Sequence, residues 1–213
     1  SRGNLSLALT PITDYLTLDL IQKFLNDYPN ITLQVHEMSQ SDVEEAVLRD
    51  MVNVGVAFSD ENSLTSARTE LERISLRTEH LILASGKNES SAPIDSLATL
   101  RVELDRYPLA LLGSRYEMRR KIDSYFATNN LAPQITLESN SLGFLIELVK
   151  RGRLRTILPR SIVSFQEGLT EIPFEPGLPT HNVTLILSKS TYRSRATDCF
   201  LRYALNPPFY QKS

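Results

Sequence analysis

Leu5, Leu7 and Leu9 alternate with smaller or polar positions, the two-residue period of a strand. The period then changes. Leu20, Ile21, Phe24, Leu25 and Tyr28 fall on one helical face, which predicts a helix over about 15–28 with Asp14 as its N-cap. Pro29-Asn30 ends it, and Ile31–Val35 alternates again. Ser41 and Glu44 have the spacing of a capping box, and Val43, Ala46, Val47 and Met51 share the face of the helix it opens. Val52, Val54, Val56 and Phe58 predict a third strand. Strands separated by helices of this length imply crossover connections and a parallel sheet.

The pattern breaks at 59–70, which reads as a polar loop. Two strands are expected at 71–78 and 80–85, then an exposed Gly/Ser/Asn/Pro connection over 86–96. A second β-α-β-α-β unit follows. Leu109–Leu112 is a short apolar strand. Ser114 and Glu117 form a second capping-box pattern before a helix that carries Met118, Ile122, Tyr125 and Phe126. Ile135–Leu137 is the next strand. Asn140 or Ser141 caps a helix with Leu142, Leu145, Ile146 and Val149 inward and Gly152 at its end. Thr156–Leu158 is a buried strand, and Pro159 opens a short helix. A weaker strand at 171–174, a strong one at 183–187 and a last helix over about 193–205 complete the chain. That helix turns Cys199, Phe200 and Tyr203 inward and stops before Pro207-Pro208.

The simplest assembly is α/β with two lobes, each a β-α-β-α-β unit. Residues 1–79 with 188–213 form one lobe, and 80–187 form a second inserted into it. Two apolar strands, 80–85 and 183–187, serve as the crossings. Ligands of open parallel sheets bind beyond the carboxyl ends of the strands. For two such lobes that place is the cleft between them.

With 23 basic and 25 acidic residues in 213, the formal net charge is −2, which argues against autonomous nucleic-acid binding. The 41% hydrophobic and 23% charged content fits a globular chain. No apolar run reaches the roughly 20 residues of a membrane span, and no signal segment opens the sequence. A single cysteine, Cys199, fits a reducing, cytoplasmic compartment. A start at Ser1 rather than Met suggests a fragment or processed chain.

Catalytic motifs are absent: there is no nucleophile elbow, dinucleotide or phosphate loop, or zinc-binding helix. His36, His80 and His181 lack metal-ligand spacing and read as surface or strand-end histidines, so no metal and no cofactor are expected. Cys199 reads as a small buried thiol. The sequons at Asn4, Asn30, Asn88 and Asn182 carry no meaning without secretion. Lys150, Arg151, Arg153 and Arg155 form the strongest basic cluster, at a helix C-terminus where cations offset the macrodipole. A phosphate or partner site is the alternative reading of that cluster.

The informative positions are the four strand-to-helix loops: Thr10–Asp14, Met38–Ser41, Gly113–Arg115 and Ser139–Ser141. Each puts hydroxyls or amides at a helix N-terminus, where free N–H groups and the dipole favour an anion. Such residues also cap helices with no ligand present. The candidate ligand contacts in these loops are Thr10, Ile12, Thr13, Ser39, Ser114, Arg115, Asn140 and Ser141. None is a strong acid or base, so they suit holding a small polar ligand more than transforming one.

At these residues the chain resembles the effector-binding domain of a LysR-type transcriptional regulator, and within that family most resembles the cyanate-operon regulator branch. Arg2-Gly3-Asn4-Leu5 followed by Thr10-Pro11, then Asp27–Ile31, Val52–Val56, Asn140-Ser141, Val149–Gly152 and Leu158-Pro159 match family motifs in order along essentially the whole chain. Asp50-Met51 and Leu154 stand where the family has glycines. The first loop is one residue shorter than in the cyanate branch, so cyanate is not assigned as effector.

The resemblance implies a two-lobed fold like the type 2 periplasmic binding proteins, with a small anionic metabolite in the inter-lobe cleft. Thr10, Ile12 and Thr13 would line it from one lobe, and Ser114, Asn140 and Ser141 from the other. It further implies a homodimer through this domain, a homotetramer of the full-length protein, and DNA contact only through an N-terminal segment outside this chain. A transporter's solute-binding protein shares this fold and is the alternative. An enzyme on the same scaffold is disfavoured, because the candidate contacts in the four loops include no strong acid or base.

Overall fold

A computed structural model describes residues 3–59, 68–89 and 91–209. Arg2 of the first family motif and 60–67 of the expected polar loop lie outside the described residues. The chain divides into two compact units, one formed by residues up to Thr78 and from Asn182 on, the other by Glu79–His181.

In the first unit, β1 (Gly3–Leu9) pairs in parallel with β2 (Ile31–Glu37) and with β3 (Val54–Ser59). β3 pairs antiparallel with β9 (Thr180–Ser188). β4 (Leu71–Gly86) completes the order β2-β1-β3-β9-β4. The sheet is therefore mixed where the crossover argument predicts a parallel one, because β4 and β9 each continue from one unit into the other. The strands expected at 71–78 and 80–85 are this single β4.

One face of the sheet is covered by α3 (Gln40–Leu48). Val43, Ala46 and Val47 of α3 join Ala8, Val52, Ala57, Leu71 and Ile186 in a buried cluster. The helix passes so close that a Cβ on Gly55 would stand 2.6 Å from Val43 Cγ1, which is why a glycine interrupts the β-branched run of β3. Elsewhere in the unit, Phe24 of α2 (Leu18–Asp27) and Phe200 of α8 (Arg195–Ala204), both fully buried, meet edge to face at 5.2 Å. The helix expected over 15–28 is two pieces, α1 (Thr13–Leu16) and α2, and Asp14 lies inside α1 instead of capping α2. The first capping box also shifts. Ser39 is the N-cap of α3, accepting from the Asp42 amide and donating to the Asp42 carboxylate at 2.6 Å.

In the second unit β4 is flanked by two antiparallel partners, β7 (Arg155–Pro159) and β8 (Leu169–Ile172). β5 (Leu109–Leu112) pairs in parallel with β7 and with β6 (Ile135–Ser139). β5 and β7 are buried along their whole length. Met118, Ile122 and Phe126 of α5 (Glu117–Thr128) and Leu142, Leu145, Ile146 and Val149 of α6 (Leu142–Arg151) are buried in this unit. α7 (Arg160–Phe165) starts directly after Pro159. α5 begins at Glu117 with Tyr116 as N-cap and no side-chain cap, so the Ser114 capping box does not form.

A helix the hydrophobic pattern missed, α4 (Leu97–Arg106), buries only Leu100 and Leu104. It docks by charge as well. Arg155 is fully buried, its Nε donates to Glu103 of α4 at 2.8 Å, and its guanidinium stacks 3.7 Å from the Tyr107 ring centroid. A two-leucine stripe is too short for periodicity to register, and the ion pair that completes the docking is invisible to it.

Candidate functional site

In the first unit, parallel pairing sets the ends of β1 and β2 side by side, with Leu9 opposite Glu37 and the Met38 amide donating to the Leu9 carbonyl at 2.9 Å. The loops carrying Thr10–Asp14 and Ser39 are thereby neighbours. Thr10, Ile12, Thr13 and Ser39 are all buried. The Thr13 hydroxyl donates to the Val56 carbonyl at 2.7 Å, which leaves Thr10 as donor in the 3.0 Å bond between the two hydroxyls. The Thr10 amide donates to Thr13 Oγ1 at 2.9 Å. These hydroxyls tie the loop to the sheet and are engaged with each other.

The polar groups left toward solvent here are ones the loop pattern passed over. Asp14 and Glu37 stand together. Burial, helped by the Glu37 carboxyl, pushes Asp14 from 3.8 up to about 7, against the lowering effect of the Tyr15 amide, which donates to Asp14 Oδ1 at 2.6 Å. Two carboxyls that close share a proton more readily than they both ionise. Gln40, the first residue of α3, has a buried side-chain oxygen with no hydrogen-bond partner among the described residues. A buried acceptor without a donor is costly. Sequence pattern gives Asp14 and Glu37 no common signal, since 23 positions separate them and only the β1–β2 pairing brings them together.

In the second unit, the loops after β5 and β6 are likewise adjacent. Leu112 is in register with Ser139, and the Gly113 amide donates to the Ser139 carbonyl at 3.3 Å. Ser114, Arg115, Asn140 and Ser141 are all exposed. Ser141 is the N-cap of the ten-residue α6, accepting from the Phe144 amide at 3.3 Å, and its own amide donates to Ser139 Oγ at 3.0 Å. Arg115 lies over the Tyr116 ring at 5.3 Å. Ser114, Arg115, Asn140 and Ser141 therefore gather in one unit, and Thr10, Ile12, Thr13 and Ser39 in the other. Exposed amide and hydroxyl donors, a helix N-terminus and a guanidinium can hold an anion and have no means to transform it.

The remaining candidates disperse. His36 and His80 are exposed, whereas His181 is buried, and among the described residues no three side chains are arranged to hold a metal. Cys199 is 5% exposed. The basic run also separates: Lys150 and Arg151 pair with Glu147, Arg155 is in the core, and Arg153 lies against Tyr107. No described helix is long and apolar enough to cross a membrane.

A family model described as the LysR substrate binding domain matches residues 1–206. The effector-binding domain of QuiR, solved with shikimate, is similar at 19% identity and a TM-score of 0.75, with 96% of each chain covered. The regulatory domain of Synechocystis PCC6803 CcmR, in complex with 2-PG, is similar at 14% identity and a TM-score of 0.78, with 95% of each chain covered. Full-length CbnR complexed with its target DNA is similar at 19% identity and a TM-score of 0.75, over 95% of this chain and 69% of that one.

Proposed function

Because the chain belongs to the LysR substrate-binding domain family, we propose that it senses a small anionic metabolite for a LysR-type transcriptional regulator. The observation that carries the choice of an anion is the exposed group at the ends of β5 and β6: Ser141 at the N-terminus of α6, with Asn140, Ser114 and Arg115 beside it. Backbone N–H groups, the helix dipole and a guanidinium all favour negative charge. The ligands of QuiR and CcmR support a small polar molecule. The reading is non-catalytic and cytoplasmic. It places DNA contact in an N-terminal segment outside this chain, with a homodimer through this domain and a homotetramer of the full-length protein. Motif order favours the cyanate-operon branch, and the shortened first loop favours a ligand other than cyanate.

The test is calorimetry of the chain against small carboxylates, phosphorylated acids and inorganic anions, with shikimate and 2-PG included. One compound is expected to bind saturably. Ser141→Ala and Arg115→Gln should each weaken it by about tenfold, the usual worth of a hydrogen bond to a charged group. Undiminished affinity in both variants, or binding confined to cations and neutral compounds, would overturn the proposal.

A further inference from the structure

The second unit gathers charge a second time, at the opposite end of its parallel strands. β5 and β7 begin at Leu109 and Arg155, which are in register. Just before them stand Tyr107, after the end of α4, and Arg153, after the end of α6. Tyr107 is buried, and three guanidinium groups surround its ring. Arg155 lies 3.7 Å from the ring centroid, Arg106 5.4 Å and Arg153 5.5 Å. No two guanidinium carbons can be farther apart than twice the largest of these distances.

The acids nearby are engaged with only one of the three. Glu103 accepts from Arg155 Nε at 2.8 Å, and Glu89 stands 3.9 Å from Arg155 Nη1. Ser91 Oγ accepts from Arg155 Nη2 at 2.9 Å. Arg106 and Arg153 are exposed, and neither has a carboxylate partner among the described residues. Asp105 is adjacent to Arg106 in α4, but successive residues of a helix point about 100° apart. Arg49, Arg68, Arg73, Arg120, Arg151, Arg160 and Arg193 meet carboxylates, whereas the exposed Arg101, Arg115, Arg195 and Arg202 share with Arg106 and Arg153 the lack of a carboxylate partner among the described residues; only Arg106 and Arg153 stand around one ring with a third guanidinium.

Like charges brought together around one ring, with the local acids already consumed, leave an unmet demand for negative charge. Aromatic stacking orients the guanidinium planes, and their forked donors match tetrahedral oxyanions. We propose that Arg106 and Arg153, each within 5.5 Å of the Tyr107 ring centroid that the buried Arg155 also approaches, form a binding site for a phosphate-type dianion, separate from the loops at the carboxyl ends of β5 and β6. Two forks offer more donors than a single carboxylate can accept, and a phosphate presents an oxygen to each. Buried Arg155 adds fixed positive potential without leaving its partners.

Inorganic phosphate is the probe. The 213-residue chain is titrated at constant ionic strength, with chloride as the balancing salt, and followed by the arginine Nε–H and backbone amide signals in NMR. Saturable shifts centred on Arg106, Tyr107 and residues 153–155 are expected. Affinity should be higher at pH 7.5 than at pH 5.5, because the second proton of a phosphate leaves near pH 6. Arg106→Gln/Arg153→Gln should weaken binding by tenfold or more. Arg153→Lys, which keeps the charge and loses the fork, should fall between. Arg195→Gln, at an exposed arginine of the other unit, should leave phosphate binding unchanged. Shifts that grow linearly and equally with chloride would overturn the proposal. So would a double variant that folds and binds as the parent does, or saturable shifts centred on residues 113–115 and 139–141 in place of the Tyr107 group, which would put the anion in the other loops. A double variant that does not fold passes the decision to Arg153→Lys, where unchanged affinity would refute the site.

Discussion

Replacing Asp14 with Asn should make the protein more stable above neutral pH and leave it nearly unchanged at pH 3, below the unfolded value of 3.8. In the folded chain Asp14 is pushed from 3.8 up to about 7, chiefly by burial and then by Glu37. The folded state therefore holds a proton that the unfolded chain releases. Stability falls as pH rises from about 4 to about 7, and the full penalty persists above that. A rise of about 3 pH units corresponds to an upper bound of about 4 kcal/mol at 1.36 kcal/mol per unit. Asp14 is partly open to solvent, so screening reduces this to about 1–2 kcal/mol. Asn keeps an acceptor for the Tyr15 amide and never ionises.

Thermal unfolding of parent and variant between pH 3 and 8.5 reads this difference. The variant should melt about 2–8 °C higher at pH 8, from about 2–4 °C per kcal/mol for a chain of this size, by an intermediate amount at pH 5, and within a degree of the parent at pH 3. Glu37→Gln removes the neighbouring charge but not the burial, so it should recover only part of the gain. A difference that does not change with pH, or a variant less stable than the parent at pH 8, would refute a shared, desolvated proton at Asp14.

Other outcomes follow from packing. Gly55→Ala drives a Cβ to 2.6 Å from Val43 Cγ1 and 3.2 Å from Val47 Cγ2, and should lower stability by about 1–3 kcal/mol in urea unfolding. Phe200→Ala empties a fully buried site against Phe24 and should cost about 3–5 kcal/mol. Glu103→Gln keeps an acceptor but removes the negative charge paired with the fully buried Arg155 and should cost about 3–5 kcal/mol, whereas Glu117→Gln, which loses an exposed pair with Arg120, should change stability by under about 1 kcal/mol.

The elements that could be read from the chain are those whose burial is periodic within one segment. Leu5, Leu7 and Leu9 predict β1, and Leu142, Leu145, Ile146 and Val149 predict α6 capped by Asn140 or Ser141, of which the structure uses Ser141, because a strand or helix face is a local property of the sequence. The order of such segments also carries the α/β class and the family motifs. Where partners are distant, the same reasoning stops. α4 is held by Glu103 reaching Arg155, 52 positions away, and α3 is capped from Ser39 because the chain leaving β2 presents that residue first. Sequence marks Thr10 and Thr13 as candidate ligand donors; only the fold shows that the Val56 carbonyl lies 2.7 Å from the Thr13 hydroxyl and that both residues are buried. Asp14 and Glu37 become an acid pair only through the β1–β2 register, and Arg106, Arg153 and Arg155 become neighbours only around Tyr107. Local periodicity thus determined the elements and their sequence, since each depends on residues within a few turns. The charge state of a carboxyl, the satisfaction of a hydroxyl and the company of an arginine depend on what the tertiary structure sets beside them, at distances a linear pattern does not contain.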